Sequence, residues 1–176
     1  LTKDEKKAII TYVAEAIDGR IPLVVGIGGN NTQEVINSIR QTKLNGVDGI
    51  LSVAPYYNKP TQRGLFLHFK AIATCSPLPL IIYNVPGRTS CNITAETCLE
   101  LAHNCDNIAG VKEASGDLSQ IMKIIKGKPD NFSVISGDDM LTIPIVAAGG
   151  NGVISVLANA YPVQCSEIVN NTIKNN

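Results

Sequence analysis

Short apolar runs rich in branched residues recur along the chain, each closing on Gly, Pro or polar residues before an amphipathic stretch begins. The runs at 21–26, 49–54, 78–83, 108–112, 132–136 and 152–156 predict strands. The stretches near 4–18, 32–44, 61–75, 95–103, 117–126, 139–148 and 161–174 predict helices. A repeat of roughly 25–30 residues over most of the chain is the size of a βα unit. Thr2-x-x-Glu5 and Asn31-x-x-Glu34 have capping-box spacing, in which a side-chain oxygen and a carboxylate satisfy free amides of the first turn. Gly19 and Asn45-Gly46 offer left-handed stops behind the first two helices.

Strands that are apolar along their whole length are buried on both faces, which implies a parallel sheet covered by helices. A doubly wound open sheet and a (β/α)8 barrel both satisfy that requirement. The glycine-rich turn "GIGGNNT" places Gly26, Gly28 and Gly29 before Asn31, so it lacks the G-x-G-x-x-G of dinucleotide-binding folds. The polar residues favour the barrel. Tyr56 and Tyr57 follow "GILSVAP", while Tyr83 and Arg88 lie in "IIYNVPGRT". Lys112-Glu113 ends the next strand, and Ser136-Gly137-Asp138-Asp139 ends the one after. Chemistry-bearing side chains thus gather at the carboxyl end of successive strands, as on the catalytic face of a barrel. A doubly wound sheet would concentrate them at one switch point. No linker or low-complexity stretch interrupts the pattern, so one domain is expected.

Composition narrows the function classes. With 44% apolar and 17% charged residues, the chain reads as a well-buried globular protein. Fifteen basic residues balance fifteen acidic ones without long runs of either sign, which argues against a nucleic-acid or membrane-surface partner. The apolar runs are too short for a membrane span. Five cysteines (Cys75, Cys91, Cys98, Cys105 and Cys165) show no C-x-x-C pair, so reduced structural thiols are expected rather than disulfides or a metal site. The chain opens on Leu1 at a helix start, with no initiator methionine or signal peptide, and so reads as part of something longer.

Lys112 poses the chemical question. A strand-end lysine can snorkel to solvent or pair with Glu113. Alternatively, burial lowers its pKa and frees a neutral amine to attack a ketone, the requirement for Schiff-base catalysis. Tyr83, at the end of the preceding strand, is either a core aromatic or a proton shuttle. Arg88 is either a surface arginine or a fork for a substrate carboxylate.

Together, "APYYNKP", "YNVPGRT", "GVKEASGD", "SGDD" and "GGNGVISV", in this order, resemble the dihydrodipicolinate synthase family of pyruvate-dependent class I aldolases. The resemblance implies a (β/α)8 TIM barrel that condenses pyruvate with L-aspartate 4-semialdehyde without metal or organic cofactor. It implies Lys112 as the imine-forming lysine, Tyr83 as proton relay, and Tyr57 as a relay tyrosine crossing a dimer interface. Arg88 is then the receptor for the semialdehyde carboxylate, with Gly137 and the Ile154 carbonyl lining the pyruvate pocket. The resemblance also implies a homotetramer, built as a dimer of dimers, in the bacterial cytoplasm or, if the source is a plant, the plastid. A lysine-binding allosteric site is implied at Asn30, Glu34 and Tyr56. Lys6 stands where inhibited members carry His or Glu, so weak or absent lysine inhibition is expected, unless Lys6 is simply an exposed helix residue. Sialic acid lyase and keto-deoxy-sugar aldolases are the related alternatives, set apart by Arg88, and a catalytically dead binding homologue is the non-enzyme one. The family's threonine-pair loop would fall before residue 1 and its C-terminal helices after residue 176. The expectation is therefore a single barrel domain, 1–176, with about six of eight βα units, lacking the first two strands.

Overall fold

The computed structural model describes residues 1–175. Six parallel strands form one sheet in the order β1-β2-β3-β4-β5-β6. They are β1 (Val24–Gly26), β2 (Gly49–Val53), β3 (Leu80–Asn84), β4 (Ile108–Glu113), β5 (Ser133–Ser136) and β6 (Gly152–Val153). The helices are α1 (Lys3–Ile17), α2 (Thr32–Gln41), α3 (Gln62–Cys75), α4 (Pro86–Thr89), α5 (Ala95–Asn104), α6 (Leu118–Gly127), α7 (Thr142–Ala147) and α8 (Pro162–Lys174). Strand order follows chain order without a switch point, and successive helices pack on one another, α2 on α3, α3 on α5 and α5 on α6. That winding is the arc of a barrel, and the doubly wound alternative falls.

Alternation assigns the two faces of the sheet. Ile50, Leu80, Ile82, Val111 and Val134 are buried beneath the helices, where they meet Leu65, Phe69, Ile72, Leu101, Ile121 and Ile124. The inner face carries Val53, Tyr83, Lys112 and Ile135, which pair in register as one row across four strands. A bulge sets this phase: Leu80 pairs with Ile108 but Ile81 pairs with Gly110, so Ala109 is the extra residue. Without it, a one-residue slip would turn Lys112 into the helix layer.

Gly110 fixes the spacing beside that row. A Cβ there would lie 2.5 Å from the Ser133 carbonyl oxygen and 3.1 Å from Ser133 Cβ. Because the obstacle is backbone, the two strands would have to separate. Gly110→Ala is expected to destabilise the fold by about 2 kcal/mol, read as a lower urea midpoint at unchanged slope.

The helix termini are met as the sequence suggests, with exceptions of physical origin. Thr2 and Glu5 form a reciprocal capping box. Asn31 supplies only its half, accepting from the Gln33 and Glu34 amides. At the end of α1, Asp18 takes the left-handed cap position and Gly19 follows at φ +68°. The second stop lies elsewhere than Asn45-Gly46, because α2 ends at Gln41. There extended Thr42 turns its amide to Ser38 and Ile39, and its hydroxyl to Ser38. Strand β1 starts late because Pro22 has no amide to pair and the Leu23 amide is taken by Asp48. Strand β6 ends early because the amides of Val156 and Leu157 donate to the Asp139 carboxylate instead of the ladder. All five cysteines are free, and no helix among the described residues is long and apolar enough to cross a membrane.

Candidate active site

Lys112 sits near the end of β4, only 9% exposed although its side chain is on the inner face. Its amine lies 4.3 Å from the centroid of the Tyr83 ring, its register partner on β3. The ring's negative face attracts the ammonium, but no hydrogen bond or ion pair to Nζ is found among the described residues. Burial pulls the amine below the usual lysine range, and the Asp139 carboxylate opposes that pull. Burial likewise raises the Tyr83 hydroxyl, against the charge of Arg88. The first shift increases the neutral amine available to attack a carbonyl, while the second keeps the phenol protonated as a donor. These two groups are in contact on the inner face.

Gly137 completes the channel for the lysine stem. Its amide extends the ladder to the Glu113 carbonyl at 2.8 Å, and a Cβ there would meet Lys112 Cγ and Cε at 3.1 Å. Ile154 donates its amide to Ser136 at 2.9 Å, and no donor to its own carbonyl is found among the described residues. Asp139 ties the segment after β5 to the segment after β6. Its carboxylate is held below the usual range first by the Ser155 hydroxyl, then by the amides of Leu157 and Val156, with Lys112 adding to them.

Arg88 lies exposed in α4, a single turn started by Pro86 that the periodicity of the sequence does not announce. It acts on Tyr83 through its charge. Tyr57 stands apart from the centre, 88% exposed, and no hydrogen bond joins it to Tyr83 or Lys112 among the described residues. Its φ of 75° is costly for a tyrosine, so the loop holds the ring outward against local preference. Asn30, Glu34 and Tyr56 line one depression of about 110 Å³, with Asn30 Nδ2 donating to the Tyr56 carbonyl at 3.2 Å. Lys6 lies outside it, in the neighbouring depression that shares Gly28 and Ser38.

The suggested pairing of Lys112 with Glu113 does not form. Adjacent strand residues point to opposite faces, and Glu113 is fully buried under the helices. There it accepts hydrogen bonds from Asn84, Ser115 and Gln120. This polar cluster is absent from the sequence reading. Its signal was the alternation itself: once Lys112 and Tyr83 face inward, Glu113 and Asn84 must face the helix layer. Among the described residues, no group of three or more His, Cys, Asp or Glu side chains is placed to hold a metal ion.

Comparison with known proteins gives a consistent result. Residues 1–176 match the Dihydrodipicolinate synthetase family. A 4-hydroxy-tetrahydrodipicolinate synthase from Flavobacterium psychrophilum is 52% identical over 169 residues, covering 96% of this chain and 58% of that protein. The crystal structure of dihydrodipicolinate synthase from Aquifex aeolicus superposes with a TM-score of 0.95 at 42% identity, covering 99% of this chain and 60% of that one. A synthase from Cyanidioschyzon merolae, solved with lysine bound, gives a TM-score of 0.94 at 41% identity, covering 98% and 59%. The chain thus spans a little over half the length of the relatives it matches.

Proposed function

The chain belongs to the dihydrodipicolinate synthetase family, and from that membership we propose that it condenses pyruvate with L-aspartate 4-semialdehyde to give 4-hydroxy-tetrahydrodipicolinate. The observation that carries the reading is the buried Lys112 amine lying against Tyr83, its affinity for a proton lowered by desolvation. The neutral amine adds to the keto carbon of pyruvate. Protonation of the carbinolamine hydroxyl, for which Tyr83 is the nearest phenol, lets it leave as water and forms the imine. Loss of a methyl proton gives an enamine whose carbon adds to the aldehyde, and the aldehyde oxygen takes up a proton. The semialdehyde's own amine then attacks the imine carbon, closing the ring and returning Lys112 as a free amine. Every step runs on protein side chains and the two substrates, with the lysine imine in place of a cofactor or metal.

The remaining assignments follow the same reading. Arg88 receives the semialdehyde carboxylate, which its exposed position beside Tyr83 supports. Gly137 and the Ile154 carbonyl border the pyruvate, and the six βα units act as one barrel domain. Tyr57 reaches a neighbouring subunit, for which its strained outward pose is the support, and the assembly is a homotetramer built as a dimer of dimers. Sedimentation at micromolar protein checks the last point. Asn30, Glu34 and Tyr56 take lysine. Lys6, close by and cationic, weakens that binding, and an inhibition curve at micromolar lysine that stays flat agrees with it. The enzyme works in the bacterial cytoplasm, or in a plastid if the source is a plant.

Substrate choice separates this function from that of related aldolases. Condensation with aspartate semialdehyde should exceed cleavage of N-acetylneuraminate by at least about a hundredfold in kcat/KM, a gap that a carboxylate-specific arginine can supply. Equal or reversed rates contradict the assignment.

A further inference from the structure

Glu113 occupies an expensive position. Its side chain is fully buried, and no cation pairs with it among the described residues. Asn84 Nδ2 approaches both carboxylate oxygens at 3.2 and 3.1 Å, the Ser115 amide reaches Oε1 at 2.7 Å, and Gln120 Nε2 reaches Oε2 at 3.2 Å. Asn92 closes the cluster by accepting from Asn84 at 2.8 Å and donating to Gln120 at 2.8 Å. The Ile93 amide donates to the Asn84 side-chain oxygen at 2.9 Å, which fixes the orientation of that carboxamide. Well-packed apolar side chains would hold a sheet to its helices at least as well as a buried carboxylate does. What the polar cluster adds is direction, because hydrogen bonds fix angles and distances that apolar packing leaves loose.

The direction concerns the reactive pair. Tyr83 and Lys112 are register partners on the inner face, and the next register pair along the same two strands is Asn84 and Glu113 on the outer face. The reactive pair and the tie are thus adjacent residues on the same backbones. A change in the tilt or separation of one pair is transmitted to the other through a single peptide on each strand.

We propose that Glu113 is a positioning residue: its tie to Asn84 locks the ends of β3 and β4 on the helix side, holding Tyr83 and Lys112 in working geometry on the opposite face. The proposal rests on the imine reading given above. Burial raises the Glu113 carboxyl above its usual range while the surrounding amides oppose the rise, in keeping with a site made for donors rather than for a counter-ion.

Glu113→Gln tests it, because the carboxamide keeps shape and volume but turns an NH2 toward the donors of Asn84 or Gln120. The reading is kcat for condensation per Lys112 site, the sites being counted by borohydride trapping with pyruvate in the intact protein. The expected result is a fall of about tenfold in kcat per trapped site, with pyruvate KM changed by less than about threefold. Asn84→Ala cuts the same tie from the other strand and should do likewise, and it decides the matter alone if Glu113→Gln does not fold. Ile39→Val, a loss of core packing on α2, which carries no member of the cluster, should lower the melting temperature and leave kcat per site unchanged. Wild-type kcat per trapped site in either tie variant overturns the proposal. Failure to trap the wild-type protein at Lys112 instead overturns the imine reading, before any variant is compared.

Discussion

Lys112→Met should lower turnover by about four orders of magnitude or more while leaving the fold at least as stable as before. Methionine keeps the length and flexibility of the lysine stem, so the channel past Gly137 stays filled and Tyr83 keeps its neighbour. What disappears is the proposed nucleophile. The opposite sign of the stability change is the informative part. Lys112 is 9% exposed, its amine is without a hydrogen-bond partner among the described residues, and burial lowers its proton affinity. Removing it relieves that cost, and a gain of about 1 kcal/mol is expected. Steady-state condensation assays and thermal unfolding of the same preparation read both quantities. Turnover within tenfold of wild type excludes Lys112 as the nucleophile. A large loss of stability would mean that Lys112 is a structural residue.

The second large effect is acid lability centred on His68, away from the reactive pair. The ring is buried on α3, with Nδ1 2.8 Å from the Thr32 hydroxyl and its edge against Phe69. Nε2 has no partner. Protonation would place a charge there without an acceptor, and burial therefore pulls the folded-state pKa from 6.5 down to about 4. Below pH 6.5 the unfolded chain takes up a proton that the folded chain refuses, so stability falls as pH falls and levels off below pH 4. The loss should be about 2 kcal/mol between pH 7 and 5 and about 3 kcal/mol by pH 4. Urea unfolding across that range measures it, and His68→Gln should flatten the curve between pH 7 and 5, where ordinary carboxylates do not yet titrate. An unchanged slope in that variant excludes the histidine as the source. The lowered carboxyls of Glu5, Glu96 and Asp139 add their own losses at lower pH, and Glu113, shifted upward, works against them.

What could be read from the residues followed the strength of each physical signal. Six apolar runs at regular spacing specified six strands, and among the polar residues at their ends are Tyr83 and Lys112, which meet on the inner face. Lys112 and Tyr83 stood out because a lysine beside an apolar run costs energy that chemistry can justify. The bulge at Ala109 was invisible, since it exchanges one register for another without changing composition. The reversal of Glu113 depended on that phase, which is why its neighbour looked like its partner. The Asn45-Gly46 stop failed because Thr42 had already ended α2 with its own hydrogen bonds. His68 lies on the buried stripe of α3, three residues after Leu65 and four before Ile72, so its burial was legible; its Thr32 partner was not, because that comes from the contact between α2 and α3, which no local window contains. The outward pose of Tyr57 comes from the left-handed backbone of its loop, a conformation that tyrosine gives no reason to expect.

The proposed reaction depends on one covalent bond, the imine between Lys112 and pyruvate. Incubating the protein with pyruvate and borohydride, then mapping its peptides by mass, measures that bond directly. The expected result is one modified peptide with the added mass on Lys112, equal to pyruvic acid less one oxygen atom, and the loss of condensation activity in step with labelling. An intact, folded protein that gives no adduct, or an adduct on another lysine with Lys112 unlabelled, contradicts it.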